Sequence, residues 1–318
     1  MNFLVNMANH SDLGQRSLED VVGIFGHACR ALGHEIVWDQ RNHMFLNTLA
    51  GQGMNIVVEG FTPDAIKLLA HGYESGARFI ILATEEPSEK GFNQGTQKEM
   101  VFRQKTFPEA AKYAEGIIHL VPGDHVTKWY GQFCPAAPCE LGYAPSLVRT
   151  GDFAPTYDFG FYGSLTKRRL KILKMLARRA NLSEKGVRII ADFKDQTERD
   201  RIMRQAKVIV QIRKFEEMGL VSSSRCNTAL CLGRPVVAEP HFLSKPWDEI
   251  VRFAPSIESF YDQCILTRTA WKGVHAAQMK AFMEKLSPEN CVGKALQQIG
   301  ILDGMNRPIE AWKQKAVA

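Results

Sequence analysis

The 318 residues contain no apolar run long enough to span a bilayer, which argues against a membrane-spanning protein. The opening MNFLVNMANHSD shows no positive region followed by a long apolar core, so no secretory signal peptide is expected. Paired cysteines are scarce as well. Cys29, Cys134, Cys139, Cys226, Cys231, Cys264 and Cys291 are scattered and odd in number, the pattern of reduced thiols in a cytoplasmic compartment. Only CPAAPC, Cys134 to Cys139, is a local pair. No second Cys or His pair follows it at metal spacing, so no metal is expected. Internal repeats, low-complexity segments, a Walker lysine and a complete G-x-G-x-x-G are all missing. The net charge of +6 falls short of a dense basic stripe, and the basic helix has no aromatic platform beside it; nucleic-acid binding therefore ranks last.

What remains is a soluble globular composition, 45% apolar and 23% charged, at a length suited to two domains. Short apolar runs alternate with helical patterns. In the first half, strands are expected at Phe3–Met7, Glu35–Trp38, Asn55–Val58, Arg78–Ala83 and Gly116–Val121, with helices at Leu18–Leu32, Asp64–Tyr73 and Phe107–Ala114. The alternation restarts after the pattern-poor Pro145–Thr156. Strands are expected at Asp158–Tyr162, Val187–Ala191, Lys207–Ile212 and Pro235–Ala238, and helices at Thr166–Ala180, Thr197–Gln205 and from Ser222 or Ser223 to Leu232. Helices Trp271–Leu286, Val292–Ile299 and Ile309–Ala316 close the chain. Strand-helix-strand order implies right-handed crossovers and mostly parallel sheets. The expected fold is α/β, with two Rossmann-like doubly wound domains facing a cleft: 1–150, 151–305, and a C-terminal helix in 306–318 that packs back on the first.

Ligands of such sheets sit beyond the carboxyl ends of the strands, near helix starts. Three places in the second half carry residues suited to one. In DFGFYGSLTKRRLKIL, Gly163-Ser164 closes a strand and Lys167 and Arg168 open the next helix, an arrangement that can hold a phosphate. The later cations Arg169, Lys171, Lys174, Arg178 and Arg179 read as a solvated helix face. In VQIRKFEEMGLVSSS, Gln211, Arg213, Glu216 and Glu217 follow a strand, and carboxylates grip sugar hydroxyls well. After VRIIA, Asp192-Phe193 offers a carboxylate and a ring to a nucleobase. The stretch SSSRCNTALCLGRPVVAE adds Ser223, Ser224 and Arg225. Arg225 falls in the first turn of a helix, where the backbone dipole is already positive. Its charge then either points into solvent or meets an anion.

From Tyr157 to Glu239, the order strand-Gly-Ser-helix, mixed-charge loop and R…ALCLGRPVVAE resembles the C-terminal half of GT-B glycosyltransferases. It is most similar to the family-1/4-like group and the related CgeB-type proteins. The resemblance implies a UDP- or GDP-type nucleotide-sugar donor bound by the C-terminal domain, without metal or other cofactor. Gly163 and Ser164 match the turn near the donor phosphates, and Lys167 or Arg168 approximates a diphosphate-binding cation. Glu217 matches the first glutamate of an E-x7-E motif whose second glutamate is replaced by Arg225, an arginine that fits the CgeB-like pattern. The N-terminal domain would hold an acceptor (saccharide, lipid-linked or protein), with His10 or Asp12 in the loop NHSDLGQRS as general base. Glu59, Glu85, Asp124 and His125 lie at neighbouring strand ends. The implied activity is hexosyl transfer in the cytoplasm. A sugar-nucleotide 2-epimerase and a non-catalytic nucleotide-sugar binding protein are the alternatives. The basic face Lys171–Arg179 leaves room for weak contact with an acidic membrane surface.

Overall fold

The computed structural model describes residues 2–6, 12–39, 53–59, 62–94, 98–149, 151, 153–181, 186–190, 195–214, 216, 222–240 and 245–309. The chain divides into two units, Met1–Gly142 with Pro288–Ala318, and Tyr143–Ser287. The fold is α/β, with one parallel sheet in each unit.

The first sheet runs in the order β2-β1-β3-β4-β5-β6. Its strands are β1 (Asn2–Asn6), β2 (Glu35–Asp39), β3 (Gly53–Val58), β4 (Phe79–Ala83), β5 (Ala114–His119) and β6 (Ala136–Pro138). Buried on both faces, β3 and β4 are continuous apolar runs rather than alternating ones. Helix α1 (Asp12–Ala31) turns Val22, Phe25, Ala28 and Cys29 inward at helical spacing. Helix α2 (Pro63–Glu74) begins at a proline, and the side chain of Thr62 accepts from the Ala65 N–H at 3.2 Å. Helix α3 (Lys98–Ala111) starts well before the expected Phe107, because Pro108 lies inside it rather than at its first turn. Helix α4 (Asp124–Tyr130) was not anticipated; its short PGDHVTKWY pattern reads as loop.

In the second sheet the order is β11-β10-β9-β7-β8. It consists of β7 (Tyr157–Tyr162), β8 (Val187–Ile190), β9 (Ala206–Gln211), β10 (Val236–Ala238) and β11 (Arg252–Phe253). Helices α5 (Lys167–Arg179), α6 (Gln196–Met203), α7 (Ser223–Cys231), α8 (Ile257–Thr269) and α9 (Trp271–Lys285) surround it. Ile172, Leu173 and Leu176 of α5 and Phe260 and Cys264 of α8 share one core with Phe159, Val208, Val210 and Val237. Each sheet reverses its strand order once, between β1 and β3 and between β7 and β9. Ligands of doubly wound sheets bind at such points.

The units differ from the expected boundaries at two places. Residues 143–150 group with the second unit, where Arg149 N–H bonds the Cys231 carbonyl at 2.9 Å. Residues 288–305 group with the first. There α10 (Lys294–Gln298) and Ile299 lie against β5: a Cβ on Gly116 would stand 2.8 Å from Ile299 Cδ1, so only glycine leaves room for that side chain. The expected closing helix from Ile309 falls almost entirely outside the described residues. Among the described residues no helix is long and apolar enough to cross a membrane.

Candidate functional site

At the strand-order reversal of the second unit, Gly163 follows β7 with a φ of 132°. Glycine adopts that conformation without strain. Its N–H donates to the Ile190 carbonyl at 3.1 Å, which ties the turn to β8. Over its bare Cα lies the Arg225 guanidinium. A Cβ built at Gly163 would be 3.0 Å from Arg225 Cζ and 3.1 Å from Nη2. Thus the turn and the first turn of α7 meet through one glycine and one arginine.

Arg225 is half-buried, and its Cζ lies 5.8 Å from the centroid of the Tyr162 ring. No carboxylate pairs with it among the described residues. Burial pushes its guanidinium below the ordinary value, and only Tyr162 and Cys226 oppose that. Ser222 precedes the helix without a side-chain capping bond, and its Oγ lies 3.4 Å from Ser224 Oγ. The start of α7 thus carries free helix-start N–H groups, the Ser222 and Ser224 hydroxyls and a guanidinium with no carboxylate partner among the described residues.

The neighbouring arginines are occupied. Glu239, 1% exposed at the end of β10, takes a two-pronged grip from Arg168, with Nη1–Oε1 at 2.9 Å and Nη2–Oε2 at 2.5 Å. Arg168 Nη1 also donates to the Arg213 carbonyl at 3.0 Å. The Arg213 N–H donates to Glu239 Oε1, and Arg213 Nε stands 3.6 Å from the same oxygen. Arg169, expected on a solvated face, is 2% exposed. It donates from Nε to the Ile212 carbonyl at 3.0 Å and from Nη1 to the Ser164 carbonyl at 2.8 Å. The helix geometry corrects that expectation: position 169 carries the Thr166 cap bond through its N–H and turns its side chain under the strand ends. Burial and the Arg225 charge lower its pKa to about 10, so it stays charged at neutral pH. Lys171, Lys174, Arg178 and Arg179 are exposed, as expected.

Of the expected donor residues, Gly163 lies against Arg225, Arg168 and Arg213 meet at Glu239, the Ser164 carbonyl accepts from Arg169, and Ser223 and Ser224 share the first turn of α7 with Arg225. Lys167 opens α5 with an exposed side chain. Asp192, Glu217 and His10 lie outside the described residues; Asp12 is the first residue of α1, with its side chain outside them. Two contributors were not assigned a role from sequence, Glu239 and Tyr162. The signal for Glu239 was a charged residue closing the buried run PVVA.

The first unit holds a second cluster. Glu59 follows β3 at φ 52°, and Glu85 lies two residues beyond β4. Arg103 of α3 reaches both, with Nη2 2.6 Å from Glu59 Oε2 and Nη1 3.0 Å from Glu85 Oε1. The Tyr130 hydroxyl donates to the Glu85 carbonyl at 2.8 Å. Burial, then the Glu59 charge, pushes the Glu85 carboxyl up to about 8, against the pull of Arg103. Nearby His119 bonds the Val121 carbonyl and Thr127 Oγ1, each at 2.8 Å, and burial lowers its pKa to about 4. His125 Nε2 lies 3.2 Å from Glu86 on the surface. Among the described residues no group of three or more His, Cys, Asp or Glu is placed to hold a metal ion.

No protein-family model matches the chain, and no curated protein matches it. Solved structures do. A TarM mutant from S. aureus, in complex with fondaparinux, alpha-GlcNAc-glycerol and UDP, aligns at TM-score 0.55 and 16% identity. That match covers 80% of this chain and 57% of TarM. The E. coli trehalose-6-phosphate protein bound with UDP-2-fluoro glucose aligns at TM-score 0.57 and 7% identity, over 95% of this chain and 100% of that one. Trehalose-6-phosphate synthase OtsA matches at TM-score 0.57 and 8% identity, over 95% and 99%. These neighbours are GT-B glycosyltransferases, and at such identities the likeness shows that this chain has the GT-B fold.

Proposed function

We propose that the protein is a glycosyltransferase whose donor is a nucleoside-diphosphate sugar, with the diphosphate seated at the start of α7 against Gly163. The observation that carries this is Arg225, a half-buried guanidinium over a glycine turn with no carboxylate among the described residues to neutralise it. An uncompensated buried cation is costly unless a ligand supplies the opposite charge. As the bond from sugar to diphosphate breaks, negative charge grows on the leaving phosphate, and a preorganised cation and helix start stabilise it. Arg168 and Arg213 act differently from the sequence expectation. Locked to Glu239, they hold the shape of the strand ends rather than meet phosphate directly. Lys167 supplies an exposed charge at the start of α5, and Ser223 and Ser224 supply donors.

The reading extends to hexosyl transfer without metal or cofactor, in the cytoplasm, to a saccharide acceptor, with His10 or Asp12 taking the acceptor proton and Asp192 and Glu217 touching base and sugar. A CgeB-like member of the fold is the variety the Arg225 position favours. UDP is the first nucleotide to test, because TarM was solved with UDP and the E. coli structure with UDP-2-fluoro glucose.

A thermal-shift titration with UDP and GDP tests the site. A ligand at a hundred times its Kd adds about 2.7 kcal/mol to folding stability. The wild type is expected to gain several degrees with one nucleotide. Arg225→Met is expected to fold normally and lose that gain. An equal gain in a well-folded Arg225→Met protein removes the phosphate role.

A further inference from the structure

Two carboxylates share one guanidinium at the carboxyl ends of β3 and β4, and among the described residues each keeps one oxygen without a hydrogen-bond partner. The Glu59 side chain is 5% exposed and the Glu85 side chain 6%. Among the described residues, Glu59 Oε1 and Glu85 Oε2 are buried and make no hydrogen bond. Buried polar atoms are ordinarily satisfied, so two orphan oxygens in one cluster mark a place where something else bonds. Their position agrees with that. Glu59 stands at the end of β3, beside β1, where the first sheet reverses its order.

The chemistry narrows the occupant. Arg103 serves both carboxylates, so the cluster has no surplus positive charge for a phosphate or carboxylate ligand. Burial keeps Glu85 protonated at neutral pH beside Glu59. A neutral carboxylic acid donates one hydrogen bond, and a carboxylate accepts several. A hydroxyl group both donates and accepts, and two adjacent hydroxyls meet both needs at once.

We propose that Glu59, Glu85 and Arg103 form a polyol site in the first unit that binds an uncharged sugar or related polyhydroxyl through adjacent hydroxyls. As the acceptor side of a glycosyltransferase it rests on the reading above; as a binding site it stands on this cluster alone. It assigns the acceptor class: neutral at the hydroxyls held here, with any charged group directed elsewhere. Arg103 is a positioning residue in this scheme, fixing both carboxyls.

Saturation-transfer NMR on the full chain tests it. The panel is glucose, galactose, mannose, ribose, glycerol and myo-inositol, each beside a phosphate monoester of the same polyol. At least one neutral polyol is expected to bind the wild type, and at least tenfold more tightly than its phosphate. The double variant Glu59→Gln/Glu85→Gln keeps the size of both side chains and is expected to weaken that binding tenfold or more. Should it fold poorly, Glu85→Asp, which draws the carboxyl back by one methylene, is expected to weaken binding in the same direction. No neutral polyol bound, a phosphate bound more tightly, or unchanged binding in a folded variant overturns the proposal and leaves water as the partner of those oxygens. A UDP titration of the same samples separates the two readings. Loss of UDP binding with intact polyol binding breaks only the donor assignment, and the reverse breaks only this one.

Discussion

The two units place opposite charge imbalances at equivalent points of the same kind of sheet. In the second, Arg168 and Arg213 gather around a single buried acid, Glu239, while Arg225 has no acid paired with it among the described residues. In the first, two buried acids gather around a single guanidinium. Both clusters sit at strand carboxyl ends beside a reversal of strand order. The surplus cation suits a diphosphate, and the surplus oxygens suit hydroxyls. On the two readings proposed above, one architecture serves two chemistries by changing which charge is in the minority.

The minority charge is also the structural keystone of each cluster, so its removal is the most damaging change. Glu239→Ala removes the acid that Arg168 and Arg213 share. Arg103→Met leaves Glu59 and Glu85 buried together. Breaking a buried pair from one side costs about 3–5 kcal/mol, and both variants are expected in that range by urea denaturation. The signs of their pH dependence separate them. Carboxyls can protonate, so the cost of Arg103→Met shrinks from pH 8 to pH 5, whereas guanidiniums cannot shed charge there and the cost of Glu239→Ala holds steady. A pH-independent loss in Arg103→Met, or a loss under about 1 kcal/mol in either, the size of a surface pair, would erase the contrast.

Gly163→Ala is a smaller change aimed at the surplus cation. An alanine at φ 132° is strained, at about 1–3 kcal/mol for such backbone outliers. Its Cβ would also press on Arg225 Cζ at 3.0 Å and move the guanidinium off the turn. A modest fall in Tm with loss of the UDP-induced shift is expected. Retention of the full shift would show that the guanidinium need not stand over Gly163.

Much of this arrangement was legible in the residues. Most of the strand and helix order, the Gly163-Ser164 turn and the Arg225 helix start follow from periodicity, glycine placement and helix polarity, which are local properties; the short strands β6 and β11 and helices α4 and α8 were not expected. The fate of the arginines in TKRRLKIL was not. Lys167, Arg168 and Arg169 look alike in sequence, yet one is exposed, one grips Glu239 from 71 residues away in the chain, and one is buried beneath the loop. Which cation is spent and which is spare depends on a partner brought by long-range pairing of β9 and β10. The Glu59–Arg103–Glu85 cluster was half visible: strand ends located the acids, but Arg103 lies on α3, whose first turns the proline at 108 concealed.

The finest test of the contrast is the proton held by Glu85. Its folded-state pKa is raised from 4.5 to about 8 by burial first and by Glu59 next, with Arg103 opposing and Glu99 adding slightly. Tyr130, whose hydroxyl bonds the Glu85 carbonyl, is itself pushed well above its ordinary value. A folded state that binds the proton more tightly than the unfolded chain is stabilised at low pH, and this contribution is lost as pH rises toward 8. The slope is at most about 1.4 kcal/mol per pH unit for one proton. His34 and His119 act in the opposite sense, because burial lowers both from 6.5 to about 4 and stability falls as pH drops through that range. His275 is lowered in the same sense, and above pH 7 unfolded histidines are mostly neutral, so from pH 7 to 8 the Glu85 proton dominates the slope. Glu85→Gln is expected to flatten the decline of stability with pH there, measured as urea midpoints at half-unit steps, while Arg225→Met leaves it unchanged. An identical slope in wild type and Glu85→Gln would mean that the first unit holds no such proton, and the two clusters would then differ in charge count but not in proton chemistry.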